Sequence, residues 1–272
     1  MNHSDPDVEL RLLLDAILSV YHYDFRGYSK PSLKRRLSAA LSHFGCATLS
    51  RLQERVLHEP RVFAELLRFL TVQVSDLFRD PPYYRALREQ VVPYLRTYPS
   101  LRVWVAGCAT GEEAYSMAIL LKEEGLLERT QIYATDIDPE SLRMGEEGVY
   151  DVDRFAPFSE NYLLAGGKTS LSNYYTAGYS SALFDRSLRK SILFSDHSLA
   201  TDSVFAEMQL VSCRNVLIYF ERQLQERAIG VLKDALCRKG FLGLGNKETL
   251  RFSAHASSFT EFCRDQRIYQ RT

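Results

Sequence analysis

The sequence predicts an α/β fold, a doubly wound parallel sheet with crossover helices, preceded by a small all-α domain. Three observations predict it. Arg102–Leu121 runs as an apolar strand, a turn from Gly107 to Gly111, and a helix whose apolar positions Ala114, Met117, Ala118 and Leu121 recur at i, i+3, i+4, i+7. Strand and helix patterns then alternate to the end of the chain, as in a parallel sheet. Before residue 70 there is no strong strand signal. The division is read at residue 80, with 1–80 helical and 81–272 α/β, and with a β insertion near 160–190.

The bulk properties exclude several classes. With 46% hydrophobic and 25% charged residues in 272, the chain is of ordinary globular composition. Its 34 Lys+Arg balance 34 Asp+Glu, so no global field draws it to nucleic acid or a membrane surface. The apolar runs fall short of the ~20 residues that span a bilayer. The N-terminus lacks a basic region, and Asp15 interrupts the apolar run at Leu12-Leu13-Leu14, so no secretory leader is expected. Cys46, Cys108, Cys213, Cys237 and Cys263 are scattered with no CxxC, which predicts neither a disulfide framework nor a metal site. A cytoplasmic monomer with reduced thiols is expected.

In the first quarter, residues 8–20 read as an amphipathic helix with Leu10, Leu13, Leu14 and Ile17 on one face. An aromatic loop, Tyr21–Tyr28, follows. Ser32 is read as the N-cap of a helix from Leu33 to about Phe44, with further helices at 48–58 and 60–70. Between Asp24 and Leu70, nine Lys/Arg stand against four acids, densest at Lys34-Arg35-Arg36. This is a docking face for an acidic partner or a solvated helix face. No base-stacking aromatic interleaves those three, which argues against nucleic acid.

Residues 70–75 alternate as an extended segment, and Pro81-Pro82 then opens a helix carrying Leu87 and Val91. Arg79 lies between Phe78 and Asp80, where its plainest role is an ion pair. The glycine turn is Gly107-x-x-x-Gly111, neither G-x-G-x-x-G nor a phosphate loop. Glu112 and Glu113 would repel a pyrophosphate there. A ligand with positive charge and hydroxyls but no phosphate fits better, and S-adenosylmethionine is such a ligand. The glutamates also suit the first turn of a helix without any ligand.

The next strand, Thr130–Asp136, ends in acids. Asp136 follows Gly111 by 25 residues, close to the ~20 expected for an acid that accepts from a ribose. Asp138 reads as the N-cap of a helix starting at Pro139. Residues 148–190 break the alternation, with a Tyr/Ser-rich stretch read as an insertion carrying its own short strands. Ser191–Phe194 and the run Met208–Phe220 hold further strands. The latter presents Cys213-Arg214-Asn215 at its end, where open sheets place ligand contacts. A helix at 221–237 and strands at Gly240–Gly245 and Arg267–Arg271 complete the pattern.

Four blocks together resemble the chemoreceptor glutamate methyltransferase family, the CheR type. They are Val74-Ser-Asp-Leu-Phe-Arg-Asp-Pro81, Ala106-Gly-Cys-Ala-Thr-Gly-Glu-Glu-Ala-Tyr-Ser116, Thr135-Asp-Ile-Asp138 and Cys213-Arg-Asn-Val-Leu-Ile-Tyr-Phe220, in family order and spacing. The resemblance spans roughly residues 10–272. It implies a bacterial signalling enzyme with an all-α N-terminal domain. A doubly wound S-adenosylmethionine-dependent methyltransferase domain with a small β insertion follows. By resemblance, Gln73, Ser75, Arg79, Gly107, Glu113, Asp136, Ser198, Leu199, Arg214 and Asn215 fall at cofactor contacts. Arg79 and Tyr219 fall where the family lines the methyl-transfer site, and Lys34, Arg35 and Arg36 become a docking face for acidic receptor helices. Gln73 and Ser198 stand where better-known members carry asparagine, and Gly245-Asn-Lys-Glu248 replaces Gly-His-Ser-Glu.

The implied reaction transfers a methyl group to a glutamate carboxylate, giving a methyl ester and S-adenosylhomocysteine. The acceptor is already ionised at neutral pH, with a pKa of about 4.3, so no strong general base is required. The competing readings are a non-catalytic S-adenosylmethionine-binding scaffold, against which Arg79 and Tyr219 argue, and a nicotinamide oxidoreductase, against which the missing G-x-G-x-x-G argues.

Overall fold

The computed structural model describes residues 5–272. The chain forms two compact units. One comprises the chain up to Val72 together with Leu199–Asp202 and Tyr219–Ala228; the other comprises Gln73–Ser198, Ser203–Ile218 and Ile229–Thr272.

The first unit is built on four helices: α1 Pro6–Tyr21, α2 Lys30–Phe44, α3 Leu49–His58 and α4 Pro60–Leu70. The face read on α1 (Leu10, Leu13, Leu14, Ile17) is buried, against α3. Leu33, Leu37 and Ala40 of α2 and Val62, Phe63, Leu66, Leu67 and Leu70 of α4 complete the core. Full burial of an aliphatic side chain stabilises by about 1.5–3 kcal/mol, so this repeated i, i+3, i+4 stripe drives the unit. Helix α2 starts three residues before the expected Leu33. Pro31 sits in its first turn with the chain already helical, and Ser29, not Ser32, is the N-cap residue. The aromatic loop is structural: Tyr21 stacks on Phe63 at 3.8 Å and donates to the Val56 carbonyl at 2.7 Å, and Phe25 is buried.

In the second unit, residues 73–76 form neither helix nor strand. Helix α5, Pro81–Ala86, continues through a π-helical turn, Leu87–Val91, into α6, Val92–Leu95. Pro93 supplies no amide to close a turn on Glu89, which accounts for the irregularity. Then follow β1 Leu101–Ala106, α7 Glu112–Glu123, β2 Thr130–Asp136, α8 Pro139–Glu147, β3 Val149–Asp151, α9 Phe155–Leu164, β4 Tyr175–Ala177, β5 Ser181–Phe184 and α10 Arg186–Arg189. The chain continues through β6 Ile192–Asp196, β7 Met208–Cys213, α11 Arg222–Ala235, β8 Leu236–Leu244, β9 Phe259–Cys263 and β10 Ile268–Arg271. Helix α11 starts in the first unit and ends in the second.

Seven strands form one sheet in the order β6-β2-β1-β7-β8-β10-β9. All pairings from β6 to β8 are parallel, and β10 runs antiparallel to both its neighbours. The order reverses between β1 and β7, so the switch point of this open sheet lies at their carboxyl ends, where such sheets bind ligands. The insertion is a separate antiparallel sheet, β3-β5-β4. Helix α9 and strand β9 escape the sequence reading. The helix was legible: Phe155, Phe158 and Tyr162 lie at i, i+3, i+7 and all three are buried. Among the described residues, no helix is long and apolar enough to cross a membrane, and all five cysteines are unpaired.

Candidate functional site

The switch point is built from the turn between β1 and α7. Gly107 has φ of +72°, and a Cβ there would stand 2.4 Å from Val216 Cγ2. Gly111 has φ of +94°, and a Cβ would meet the Gly145 Cα at 3.0 Å. Both glycines are therefore fixed by backbone conformation and by close packing within the protein. The Gly107 and Cys108 amides both donate to the Thr135 carbonyl, at 2.8 and 2.9 Å, binding the turn to the end of β2.

Asp136 closes that corner. Its Oδ2 accepts from the Ala109 amide at 2.9 Å and its Oδ1 from the Asp138 amide at 3.1 Å. A carboxylate offers about four lone-pair sites, so each oxygen keeps acceptor capacity for a ligand hydroxyl. Burial pushes the Asp136 carboxyl up, while the amides of Ala109 and Asp138 pull it back. Asp138 is the N-cap expected of it, accepting from the Glu140 and Ser141 amides at 3.3 Å each. It also accepts from Gln73 Nε2, which ties the segment before α5 to this corner. The Ser75 carbonyl accepts from Arg154 at 2.6 Å.

The two glutamates of the turn part company. Glu112 is wholly buried, ion-paired with Arg154 at 2.7 Å and accepting from Thr110 Oγ1 at 2.7 Å. Glu112 is an interior anchor. Glu113 accepts from Ser212 Oγ at 2.6 Å and is only partly buried in surface terms. Burial pushes its carboxyl up, against nearby Arg214 and the Ser212 hydrogen bond.

A hydrogen-bonded chain links Glu113 to the Arg79 segment. Ser212 Oγ lies 2.9 Å from the Tyr83 hydroxyl, and the Arg214 guanidinium lies 3.8 Å from the Tyr83 ring centroid. Arg214 donates to Asp80 Oδ2 at 2.8 Å and to the Leu244 carbonyl at 2.7 Å. Arg214 is buried, and one N–H on each of its terminal nitrogens is bonded within the protein, which holds the guanidinium in place at the end of β7. The Arg79 backbone is held on both sides, since Phe78 and Asp80 take φ of +51° and +58°. Such conformations cost about 1–3 kcal/mol each and persist only where the surroundings over-determine them. Here the Phe78 amide donates to Ser116 Oγ at 2.7 Å, and Asp80 receives Arg214. Arg79 itself is half-buried and donates to the Val74 carbonyl at 3.3 Å.

Asn215 has φ of +61°, and its amide donates to Glu248 Oε2 at 2.9 Å. The same carboxylate accepts from the Gly245 amide at 2.6 Å and the Ile218 amide at 3.3 Å. Buried Glu248 thus joins the loops after β7 and β8. Sequence reasoning noted Gly245–Glu248 only as a departure; the signal was the acid three residues past a glycine at a strand end. Ser198 is half-buried beside His197, whose amide donates to the Asp136 carbonyl at 3.2 Å.

The remaining sequence-predicted residues fall in the helical unit: Leu199, Tyr219, Lys34, Arg35 and Arg36. Lys34 and Arg35 are exposed, Lys34 beside Asp7. Arg36 differs from these two in burial and in its partners. It is half-buried and donates to Ser32 O, Ser32 Oγ and Leu70 O, with its guanidinium 5.6 Å from the Tyr219 ring centroid.

The sheet unit has the strand order and switch-point turn of a doubly wound nucleoside-binding domain, with carboxylates in place of a phosphate cradle. Its residues 73–266 match the family described as CheR methyltransferase, SAM binding domain, and residues 8–71 match the CheR methyltransferase, all-alpha domain. The chain belongs to the CheR methyltransferase family, and is a methyltransferase that uses S-adenosylmethionine. It is 56% identical to a Pseudomonas putida protein named "Putative methyltransferase Cher3", over 98% of this chain and 97% of that one. It is 29% identical to a Listeria innocua "Chemotaxis protein methyltransferase", over 84% of each chain. A Pseudomonas aeruginosa "Chemotaxis protein methyltransferase 2" is also 29% identical, over 68% of this chain and 66% of that one.

Proposed function

We propose that the protein esterifies glutamate side chains on an acidic helical region of a chemoreceptor or related signalling protein, giving glutamate methyl esters and S-adenosylhomocysteine. The observation that carries this reading is Arg79: a half-buried guanidinium on a backbone pinned by Phe78 and Asp80, with donors left for a carboxylate. Arginine's planar fork suits a carboxylate, and an ionised acceptor needs no general base.

The cofactor residues fit the group. Asp136 has acceptor capacity for the ribose hydroxyls, and Glu113 offers a carboxylate to the cationic end. Gln73 and Ser75 lie on the segment fastened to Asp138 and Arg154. Gly107, Ser198, Leu199 and Asn215 complete the proposed set. When bound, S-adenosylmethionine supplies a methyl group on a positively charged sulfur. Arg79 then aligns the acceptor carboxylate, and Tyr219 lines the methyl path. Alignment of this kind recovers roughly 7–11 kcal/mol in well-oriented reactions. Exposed Lys34 and Arg35 on α2 provide the positive face for the acidic substrate.

The test is transfer of a tritiated methyl group to a chemoreceptor signalling fragment. The expected product carries label that mild base releases as methanol, as a carboxyl ester does. Label that resists base, or none with a fragment that retains its acceptor glutamates, would count against the reading. Arg79→Ala should lower kcat by at least about 100-fold, as removing a transition-state donor does, while S-adenosylhomocysteine still binds.

A further inference from the structure

We propose that Arg36 is a positioning residue for Tyr219, so that one member of the basic cluster on α2 serves the transfer step and not substrate docking. The inference rests on the reading above that Tyr219 lines the methyl path.

The Tyr219 main chain is clamped by the loop before α2. Its carbonyl accepts from the Ser29 amide at 2.8 Å. Tyr28 and Phe220 form an antiparallel bridge, and their rings meet edge to face with centroids 4.9 Å apart. The Glu221 amide donates to the Gly27 carbonyl at 2.8 Å. With the backbone held from its carbonyl through Glu221, the orientation of the Tyr219 ring rests on what covers its face, since rotation about the side-chain bonds is the freedom left.

Arg36 covers it. The guanidinium lies 5.6 Å from the ring centroid, within the range of a cation–ring attraction. Its plane is fixed from two elements: Ser32 accepts through its carbonyl at 3.3 Å and its hydroxyl at 3.1 Å, and the Leu70 carbonyl accepts from the end of α4. Among the described residues, no carboxylate lies within ion-pair distance of Arg36. A docking cation needs donors at the surface, as exposed Lys34 and Arg35 present theirs, Lys34 while also paired with Asp7. Arg36 has directed its donors inward, and burial pushes its guanidinium pKa down.

The experiment is a double-mutant cycle on the full chain with a receptor fragment as substrate. Arg36→Ala should lower kcat by about 3- to 30-fold, the range of a cation–ring contact, with KM within twofold. In a Tyr219→Ala background the same change should cost nothing further. A rise in KM at unchanged kcat, or losses that multiply in the double variant, would overturn the proposal and restore Arg36 to docking. Tyr219→Ala with normal kcat would instead remove the role of Tyr219, and this proposal with it. Should Arg36→Ala not fold, Arg36→Lys keeps a cation over the ring. It should hold kcat within about threefold of the parent, and an Arg36→Lys chain with normal kcat but raised KM overturns the idea equally.

Discussion

Asp136 accepts a hydrogen bond from the Ala109 amide at 2.9 Å, so the acid that ends β2 is fastened to the turn that ends β1. One carboxylate thereby shapes the corner and presents acceptor capacity to a ligand. Asp136→Ala should weaken S-adenosylhomocysteine binding by about 10- to 100-fold, the worth of one to two hydrogen bonds to a charged group. Titration calorimetry measures this, and unchanged affinity would place the ribose elsewhere.

Glycine is required at position 107 for two reasons that a comparison separates. Gly45 also has positive φ, +63°, but nothing lies within 4 Å of a Cβ there, whereas at Gly107 Val216 stands 2.4 Å away. Gly45→Ala should cost about 1–2 kcal/mol for backbone conformation alone. Gly107→Ala should cost a further ~1–3 kcal/mol for the clash. Thermal or denaturant unfolding of both variants gives the difference; equal losses would mean that Val216 yields freely.

The Glu113 carboxyl, half-buried and held by Ser212, gives stability a pH dependence. Burial raises its folded-state pKa, with Glu248 adding to the rise and Arg214, Ser212 and Arg79 opposing it. The unfolded value is about 4.3. The folded chain therefore holds this proton more tightly, and the associated stability is complete below the unfolded pKa and lost as pH rises through the folded one. Glu113→Gln should flatten the decline in Tm of the ligand-free protein on going from about pH 4 toward neutrality. A curve parallel to the parent's would assign the dependence to Glu112, Asp136 or Glu248, whose carboxyls burial also raises.

Lys34 and Arg35 are the exposed members of their cluster. Reversing both to Glu should raise KM for a receptor fragment by about tenfold, the size of a few charge contacts at ~0.5 kcal/mol each, and leave kcat within twofold. The effect should shrink as salt rises, because exposed charges are screened. A fall in kcat with KM unchanged would remove them from docking.

The parts of the fold that announce themselves in sequence are those governed by periodicity and by glycine. The α1 face Leu10, Leu13, Leu14 and Ile17 is buried as its spacing requires, and Asp138 caps α8. Helix α9 was obscured by its neighbours, because a Tyr/Ser-rich stretch set the expectation for the whole segment. In the site, Asp136 and Glu113 stand on the corners where strand ends and helix starts put them. What sequence could not supply is direction. Adjacent acids read alike, yet Glu112 turns inward to Arg154 while Glu113 meets Ser212. Adjacent bases read alike, yet Arg36 leans on Tyr219 while Arg35 stays in solvent. Arg214 ends a strand, which sequence shows, and its bonds to Asp80 and Leu244 arise between elements far apart in the chain, which sequence does not.

The helical unit takes Leu199–Asp202 and Tyr219–Ala228 from beyond Val72. A gene fusion that exchanges only the first 72 residues between two such enzymes therefore splices incomplete modules. Retargeting by transplantation has to carry the Tyr28–Phe220 bridge and its flanks as one inheritable block. Drift in the loop before α2 and drift in the stretch after β7 should then be paired across a lineage.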